Sequence, residues 1–498
     1  MNYVLAIDQG TSSSRAIVFD DGGNPVGDAS YPFDQIFPRD GWVEQDPEVI
    51  WNTTLKAARN AIDSSPVDAG GISAIGITNQ RETTLLWDAQ SGQAVHNAIV
   101  WQDRRTQERC VQMQSDGMAA TVNEITGLII DPYFSGTKLE WLLRDPESQR
   151  LAGLDRLRFG TVDSFLVWRL TGGRNHVTDA TNAARTQLFD ITRHVWSDVL
   201  LEYFGIPASL LPEVKDCVAD FGTADSRWFG AEIPIFGIAG DQQAALIGQG
   251  CISPGMVKST YGTGCFVMVN TGGKRIDSTT GLLTTIGYRI AGQTTFAMEG
   301  SIFSAGVAVK WLRDKLGVIK SAAETAEIAR KAGGNTNGVF VVPAFTGLGA
   351  PHWRPDARGV ISGLTLDSGV DEIVTATLSS VAFQTMDLFN AFRSEGVKPQ
   401  HVRIDGGMVQ NDWFCQFLSD VTELVLERPK IRETTAVGAG FLAAIGAGHI
   451  NHLEDVSDRW NVDRQFSPEM EDSVRSERIA GWRRAVSQAL AVGPPRGT

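Results

Sequence analysis

At 498 residues the chain exceeds what one hydrophobic core ordinarily organises, so two α/β domains of about equal size with a ligand cleft between them are the starting expectation. Hydrophobic residues make up 42% and charged residues 20%, a globular balance that excludes a disordered chain. With 44 Lys and Arg against 58 Asp and Glu the net charge is −14, and no basic block is present to track a nucleic-acid backbone or an anionic membrane, so neither is an expected partner.

Five scattered cysteines without a CxxC pair read as reduced thiols, not as a disulfide framework or a zinc site. Met1-Asn2-Tyr3 runs straight into an apolar strand with no leader-like pattern, and apolar runs such as 441–445 fall far short of the ~20 residues of a membrane span. A cytoplasmic protein with no membrane span is expected.

In chain order, 3–8 and 15–19 read as the first two strands, and Asp21-Gly22-Gly23-Asn24 is the next turn. Between those strands, Gly10 lets the backbone approach an anion, and Thr11, Ser12 and Ser13 have hydroxyls that can turn toward it. This is a candidate phosphate-gripping turn, although a hydroxyl-rich hairpin tip fits the same residues. Asp8, at the end of the first strand, is the residue type that holds Mg2+, usually through water. Asp46-Pro47 opens a helix, with Ile50, Trp51, Leu55, Ala58 and Ile62 at helical spacing.

Strands follow around 75–77, 84–87 and 98–101. After the first of these, Gln80-Arg81-Glu82 sets a cation beside an anion, a pair suited to adjacent hydroxyls of a polyol, although surface charge is the commoner use. Trp101, Tyr133 and Phe266 are candidates for an apolar wall against a carbon chain, or ordinary core. Gly240-Asp241-Gln242-Gln243 is the best-placed seat of chemistry. The Asp241 carboxylate can accept the proton of an attacking hydroxyl, or simply cap a helix beginning at Gln242.

Gly248-Gln249-Gly250 and Ser253-Pro254-Gly255 place the join of two halves near Gly250, dividing the chain into 1–250 and 251–498. The second half opens as the first does, with strands at 256–261 and 265–269 around Gly262-Thr263-Gly264; two such turns facing each other would grip a polyphosphate from both sides. A helix over 301–316, a strand at 339–343, a helix over 371–392, a strand at 402–405 and a helix after Asn411 complete the pattern. Asp405-Gly406-Gly407-Met408 is a junction suited to a base and ribose, and the Gly493-Pro494-Pro495 tail is expected to fray. Neither a Walker loop nor a protein-kinase Gly-rich loop is found.

Taken in order, Ala6-Ile7-Asp8-Gln9-Gly10-Thr11, Gly41-Trp42-Val43-Glu44, 76–83, 97–102, 131–135, Gly240-Asp241-Gln242-Gln243 and Asp405-Gly406-Gly407 resemble the FGGY family of carbohydrate kinases over nearly the whole chain. The stretches 133–145 and 359–384 resemble the two signatures shared by that family. Asn79-Gln80-Arg81-Glu82-Thr83 resembles its glycerol-phosphorylating branch, where pentulose kinases typically read Gln-Met-His-Gly. The resemblance implies an actin, hexokinase and Hsp70 type of α/β fold: two ribonuclease-H-like ATPase domains flanking a deep cleft. The implied reaction is phosphorylation of glycerol to sn-glycerol 3-phosphate by ATP with Mg2+, in a homodimer or homotetramer.

By the same resemblance Arg81, Glu82, Tyr133 and Asp241, with Gln242, would bond the glycerol hydroxyls, Trp101 and Phe266 would pack on its carbons, and Asp241 would be the base. Thr11, Ser12, Ser13 and Arg15 would contact nucleotide phosphates from the first domain. Thr263, Gly306, Lys310, Gly407 and Asn411 would contact the nucleotide from the second, and Asp8 with Asp241 would support Mg2+. Ser12 stands where Thr is frequent and Lys310 where Gln is frequent. The segment 224–230 lacks the Gly-rich, Arg-bearing loop of relatives inhibited by fructose 1,6-bisphosphate, and Val474 replaces a metal-binding Glu of relatives that bind a phosphocarrier, so neither regulation is expected. Two other readings stand beside this one: a kinase for another polyol or ketose, and a non-catalytic ATP-driven switch.

Overall fold

The computed structural model describes residues 2–151, 153–399 and 401–491; the Gly493-Pro494-Pro495 tail lies outside them. Two sheets are built on one plan. In the first, β1 (Tyr3–Gln9), β2 (Ser13–Phe19) and β3 (Pro25–Pro32) form an antiparallel meander, and β4 (Ile72–Asn79) and β5 (Ile233–Gly240) extend it in parallel from β1. The order is β3-β2-β1-β4-β5, with the short strand Thr223–Ala224 at the edge. In the second sheet β6 (Val257–Tyr261), β7 (Cys265–Gly272) and β8 (Gln293–Ile302) are the antiparallel meander, and β9 (Val402–Asp405) and β10 (Leu426–Pro429) run parallel to β6. Its order, β8-β7-β6-β9-β10, repeats the first, with edge strands Leu283–Ile290 and Val462–Phe466 added. This is the twofold α/β architecture expected from the sequence.

The parallel strands are apolar on both faces because helices cover both sides; β1 and β4 are buried along almost their whole length. Five helices matter for the site: α1 (Pro47–Asp63), α2 (Asp241–Gly248), α3 (Gly306–Asp314), α4 (Val370–Ser394) and α5 (Thr434–Gly446). At the start of α1 the Asp46 carboxylate accepts from Glu48 N at 2.8 Å and Pro47 occupies the first turn, as its sequence signals.

Although α5 belongs to the second half of the chain, it lies across β1, β4 and β5 of the first sheet and crosses α2. Glycines make that crossing close: a Cβ at Gly248 would sit 1.9 Å from Thr434 O, and one at Gly438 would sit 1.8 Å from Ala244 O. A single core containing Val4, Ala6, Ala244, Leu246, Met268, Ala439 and Leu442 therefore runs from one sheet to the other.

Register explains why distant motifs meet. Asp8 pairs with Thr78 and Gly240 with Asn79, so β1, β4 and β5 end level and Gly10, Gln80-Arg81 and Asp241 leave the sheet along one edge. In the second sheet Thr260 pairs with Asp405, which brings the 262–264 turn beside Gly406-Gly407. Carboxyl ends of parallel strands are where such sheets present ligands.

Two expected elements are corrected. The helix placed over 301–316 begins only at Gly306 and ends at Asp314, because Ser301 and Ile302 close β8, where they pair with Phe266 and Cys265. The strand at 98–101 is reduced to Ala98–Ile99, its short partner being Glu44–Gln45.

Candidate active site

In the first turn, Gly10 N donates to Ser13 O at 2.9 Å, Ser12 is exposed, and Thr11 and Ser13 are half-buried. Thr11 is tied to one of the candidate wall residues, its Oγ1 accepting from Trp101 Nε1 at 2.9 Å. Arg15, expected on phosphates, forms an ion pair with Glu433 at the start of α5.

The chain leaving β4 enters a buried ionic cluster. Arg81, Glu82, Arg185 and Glu299 are each 2% exposed or less, two cations balanced by two anions. Arg81 forks onto Glu299 on β8, with Nη1 at 2.6 Å and Nη2 at 3.1 Å. Arg185 bridges Glu82 at 2.6 Å and Glu299 at 2.9 Å. Burial alone would raise the Glu299 carboxyl, but the charges of Arg185 and Arg81 hold it at about 2. Glu82 behaves oppositely: burial outweighs its guanidinium neighbours and pushes it up.

Sequence reasoning selected Arg81 and Glu82 and passed over their two partners. Glu299 carried a signal nonetheless, as a lone acid inside an apolar strand, a placement that requires a buried counter-charge.

Asp241 opens α2 at the edge of this cluster, with its side chain 29% exposed. Its Oδ1 accepts from Gln242 N at 2.7 Å and lies 3.3 Å from Arg81 Nε, so the carboxylate is oriented but not enclosed. Gly240 makes room for this approach, since a Cβ there would stand 2.7 Å from Arg81 Cγ. Tyr133 OH accepts from Arg81 Nη2 at 3.4 Å, and the buried Lys138 ammonium holds the Tyr133 carbonyl at 2.7 Å. The rings of Tyr133 and Phe266 stand edge-on to Trp101 with centroids 5.6 and 6.1 Å away, so the three aromatic candidates form one wall, which meets Arg81 through Tyr133. Phe266 comes from β7, so the aromatic wall is built from both halves of the chain.

On the second sheet, Gly262 and Thr263 are exposed, and their carbonyls accept from Gly306 N and Val307 N at the start of α3 at 2.9 and 3.1 Å. Lys310 is exposed on α3. Gly407 is exposed, and Asn411 caps the helix Asp412–Thr422 through Phe414 N at 3.1 Å. Gly306 and the 262–264 turn are joined directly, and Gly407 is aligned with them by the β6–β9 register.

For Mg2+ the donor chemistry fits. Mg2+ keeps several waters and takes one or two carboxylates plus phosphate oxygens. Among the described residues no group of three or more His, Cys, Asp or Glu forms a cage, whereas Asp8 and Asp241 lie within electrostatic reach of each other. Burial, then Asp241 and Glu433, push the Asp8 carboxyl up to about 7 against the pull of Arg15.

The folded protein thus holds a proton on Asp8 that an unfolded chain releases near pH ~4, and ionising Asp8 lowers stability as pH rises through that window to about 7. Asp8→Asn is expected to melt above the parent at pH 8 and level with it at pH 4, in scans without ligand. Metal dependence runs the other way: parent turnover should need more Mg2+ as pH falls below about 7.

The FGGY family of carbohydrate kinases matches the chain with its N-terminal domain model over residues 3–248 and its C-terminal domain model over 257–447. Glycerol kinase 1 of Pseudomonas aeruginosa is 55% identical over 97% of this chain and 98% of its own length. The glycerol kinase of Marinomonas is 54% identical over 98% and 99%. Among solved structures, Plasmodium falciparum glycerol kinase with ADP superposes with a TM-score of 0.91 at 36% identity, covering 98% of each chain. A xylulose kinase from Lactobacillus acidophilus shares the fold at 20% identity, with a TM-score of 0.87 over 99% of each chain. With both domain models matched and these identities running almost end to end, the chain belongs to the FGGY family of carbohydrate kinases.

Proposed function

We propose that the chain transfers the γ-phosphoryl group of ATP to a terminal hydroxyl of glycerol, giving sn-glycerol 3-phosphate and ADP. The observation that carries this reading is the meeting of Asp241 and Arg81 at 3.3 Å, with Arg81 also reaching Tyr133 of the Trp101, Tyr133 and Phe266 wall: a carboxylate, a guanidinium and apolar rings suited to a short polyol. The near-full-length identity to glycerol kinases supports the choice of acceptor. Halves meeting near Gly250 would carry the acceptor and first phosphate turn on one side and the nucleotide contacts on the other.

In this mechanism Arg81, Glu82, Tyr133 and Gln242 orient glycerol, and Trp101 and Phe266 pack on its carbons and exclude water. Asp241 takes the proton of the attacking hydroxyl as the new O–P bond forms and the bond from phosphorus to the bridging oxygen of ADP breaks. Thr11, Ser12, Ser13 and Arg15 would hold phosphates from one side, and Thr263, Gly306, Lys310, Gly407 and Asn411 the nucleotide from the other. Asp8 and Asp241 would hold Mg2+, which when bound neutralises phosphate charge. A homodimer or homotetramer in the cytoplasm completes the proposal. No helix of the described residues is long and apolar enough to cross a membrane, and the five cysteines are free.

Turnover of glycerol, xylulose, ribulose, erythritol and gluconate at equal concentrations tests the acceptor. Glycerol is expected to have the highest kcat/KM by at least ~10²-fold, the discrimination available when unmatched hydroxyls leave buried polar groups unpaired. A ketose turning over faster would transfer the reading to another branch of the family.

A further inference from the structure

Lys258 has no role in the acceptor or nucleotide sites described above, yet it is fully buried on β6. Among the described residues no carboxylate comes within salt-bridge distance of its ammonium, an unusual state for a buried lysine. Its three acceptors are neutral: Gln242 Oε1 at short range, Thr260 Oγ1 at 2.8 Å and Phe266 O at 3.4 Å. These bonds join two structures that must act together. Gln242 follows Asp241 on α2 of the first half, while Thr260 and Phe266 belong to the β6–β7 hairpin whose turn presents Thr263.

Register places Lys258 beside the ionic cluster as well. It pairs with Met268, and Met268 pairs with Glu299, so Lys258, Met268 and Glu299 form one row on the face of the second sheet that meets α2. Glu299 anchors Arg81 from one end of the row, and Lys258 anchors Gln242 from the other.

An ammonium can only donate, so the Gln242 carboxamide must turn its oxygen to Lys258. Among the described residues its Nε2 then meets no hydrogen-bond acceptor and is not fully enclosed, which leaves an N–H donor free on the residue next to Asp241. We propose that Lys258 is a positioning residue for phosphoryl transfer: it fixes the Gln242 amide with the donor end toward the acceptor or transferring oxygens, and locks α2 to the hairpin carrying Thr263 and Phe266. This rests on the reading of Gln242 as an acceptor-site residue.

The test is steady-state kinetics of variants together with thermal melts and ADP-induced thermal shifts. Lys258→Met is expected to lower kcat/KM for glycerol by ~10²-fold, the loss typical of a misplaced reacting group, while the ADP-induced shift persists. Lys258→Gln, which can both donate and accept, should fall similarly, and Lys258→Arg, again donor-only, should recover most of the activity. If Lys258→Met does not fold, the Gln and Arg variants carry the same comparison. Gln242→Ala should lose as much as Lys258→Met, and the double variant no more than the worse single.

Effects that multiply, or a lowered melting temperature with unchanged kcat/KM per folded enzyme, overturn the proposal. A damaging Gln242→Ala with a silent Lys258→Met overturns it alone. A silent Gln242→Ala overturns the underlying placement of Gln242 and the proposal with it.

Discussion

Asp241→Asn is expected to lower kcat by ~10²–10⁴-fold while both substrates still bind. The substitution is isosteric and keeps an oxygen for Gln242 N at 2.7 Å and Arg81 Nε at 3.3 Å, so α2 and the guanidinium retain their local geometry. What disappears is the basic oxygen to which the proposed mechanism assigns the hydroxyl proton. Arg81 stays fixed by its fork on Glu299 whatever stands at position 241, so glycerol affinity should change far less than turnover. Single-turnover kinetics with glycerol and nucleotide titrations measure the two quantities separately. Near-parental turnover in a variant that binds both substrates would remove Asp241 from the proton-transfer step.

The second large effect is expected from Glu299→Leu. No direct contact with substrate is assigned to this residue, yet it is the anion shared by Arg81 and Arg185. Its loss leaves Glu82 as the one fully buried anion beside two buried guanidiniums, with only the part-exposed Asp241 also near Arg81, and breaking a buried pair in this way costs about 3–5 kcal/mol. Arg81, freed from its fork, should also pair more tightly with Asp241 and draw the base out of position. The denaturation midpoint should fall, and kcat/KM for glycerol should fall more than kcat/KM for ATP. Equal losses for both substrates would mean that Glu299 supports the fold without placing Arg81.

How much of this was readable in the residues depended on whether a signal was local. Strand ends followed by Gly and hydroxyl residues, as at Gly10-Thr11 and Gly262-Thr263, are local, and both turns leave their sheets where their order implies. The cap at Asp46-Pro47 is local too, and α1 begins there. By contrast, the pairing of Arg81 with Glu299 depends on how two sheets face each other, and nothing near either residue encodes it. A lone charge in an apolar strand, as at Lys258 or Glu299, indicates that a partner exists but not which one.

The helix over 301–316 went astray for a related reason. Helix-favouring residues around 305–312 mask the end of β8, and Ser301 and Ile302 are claimed by their pairing with Phe266 and Cys265. Arg15 shows the same limit at the candidate site, because its place beside the Gly10-Thr11 turn was legible and its ion pair with Glu433 from the other half of the chain was not.

The most direct measurement is ADP release by the purified chain with Mg-ATP, in the presence and absence of glycerol. A two-sided phosphate clamp serving a polyol site predicts ADP formation that depends on glycerol and matches, mole for mole, the sn-glycerol 3-phosphate produced. ADP released at the same slow rate whether or not glycerol is present, with no phosphorylated glycerol, would contradict it and mark the chain as an ATP-driven switch.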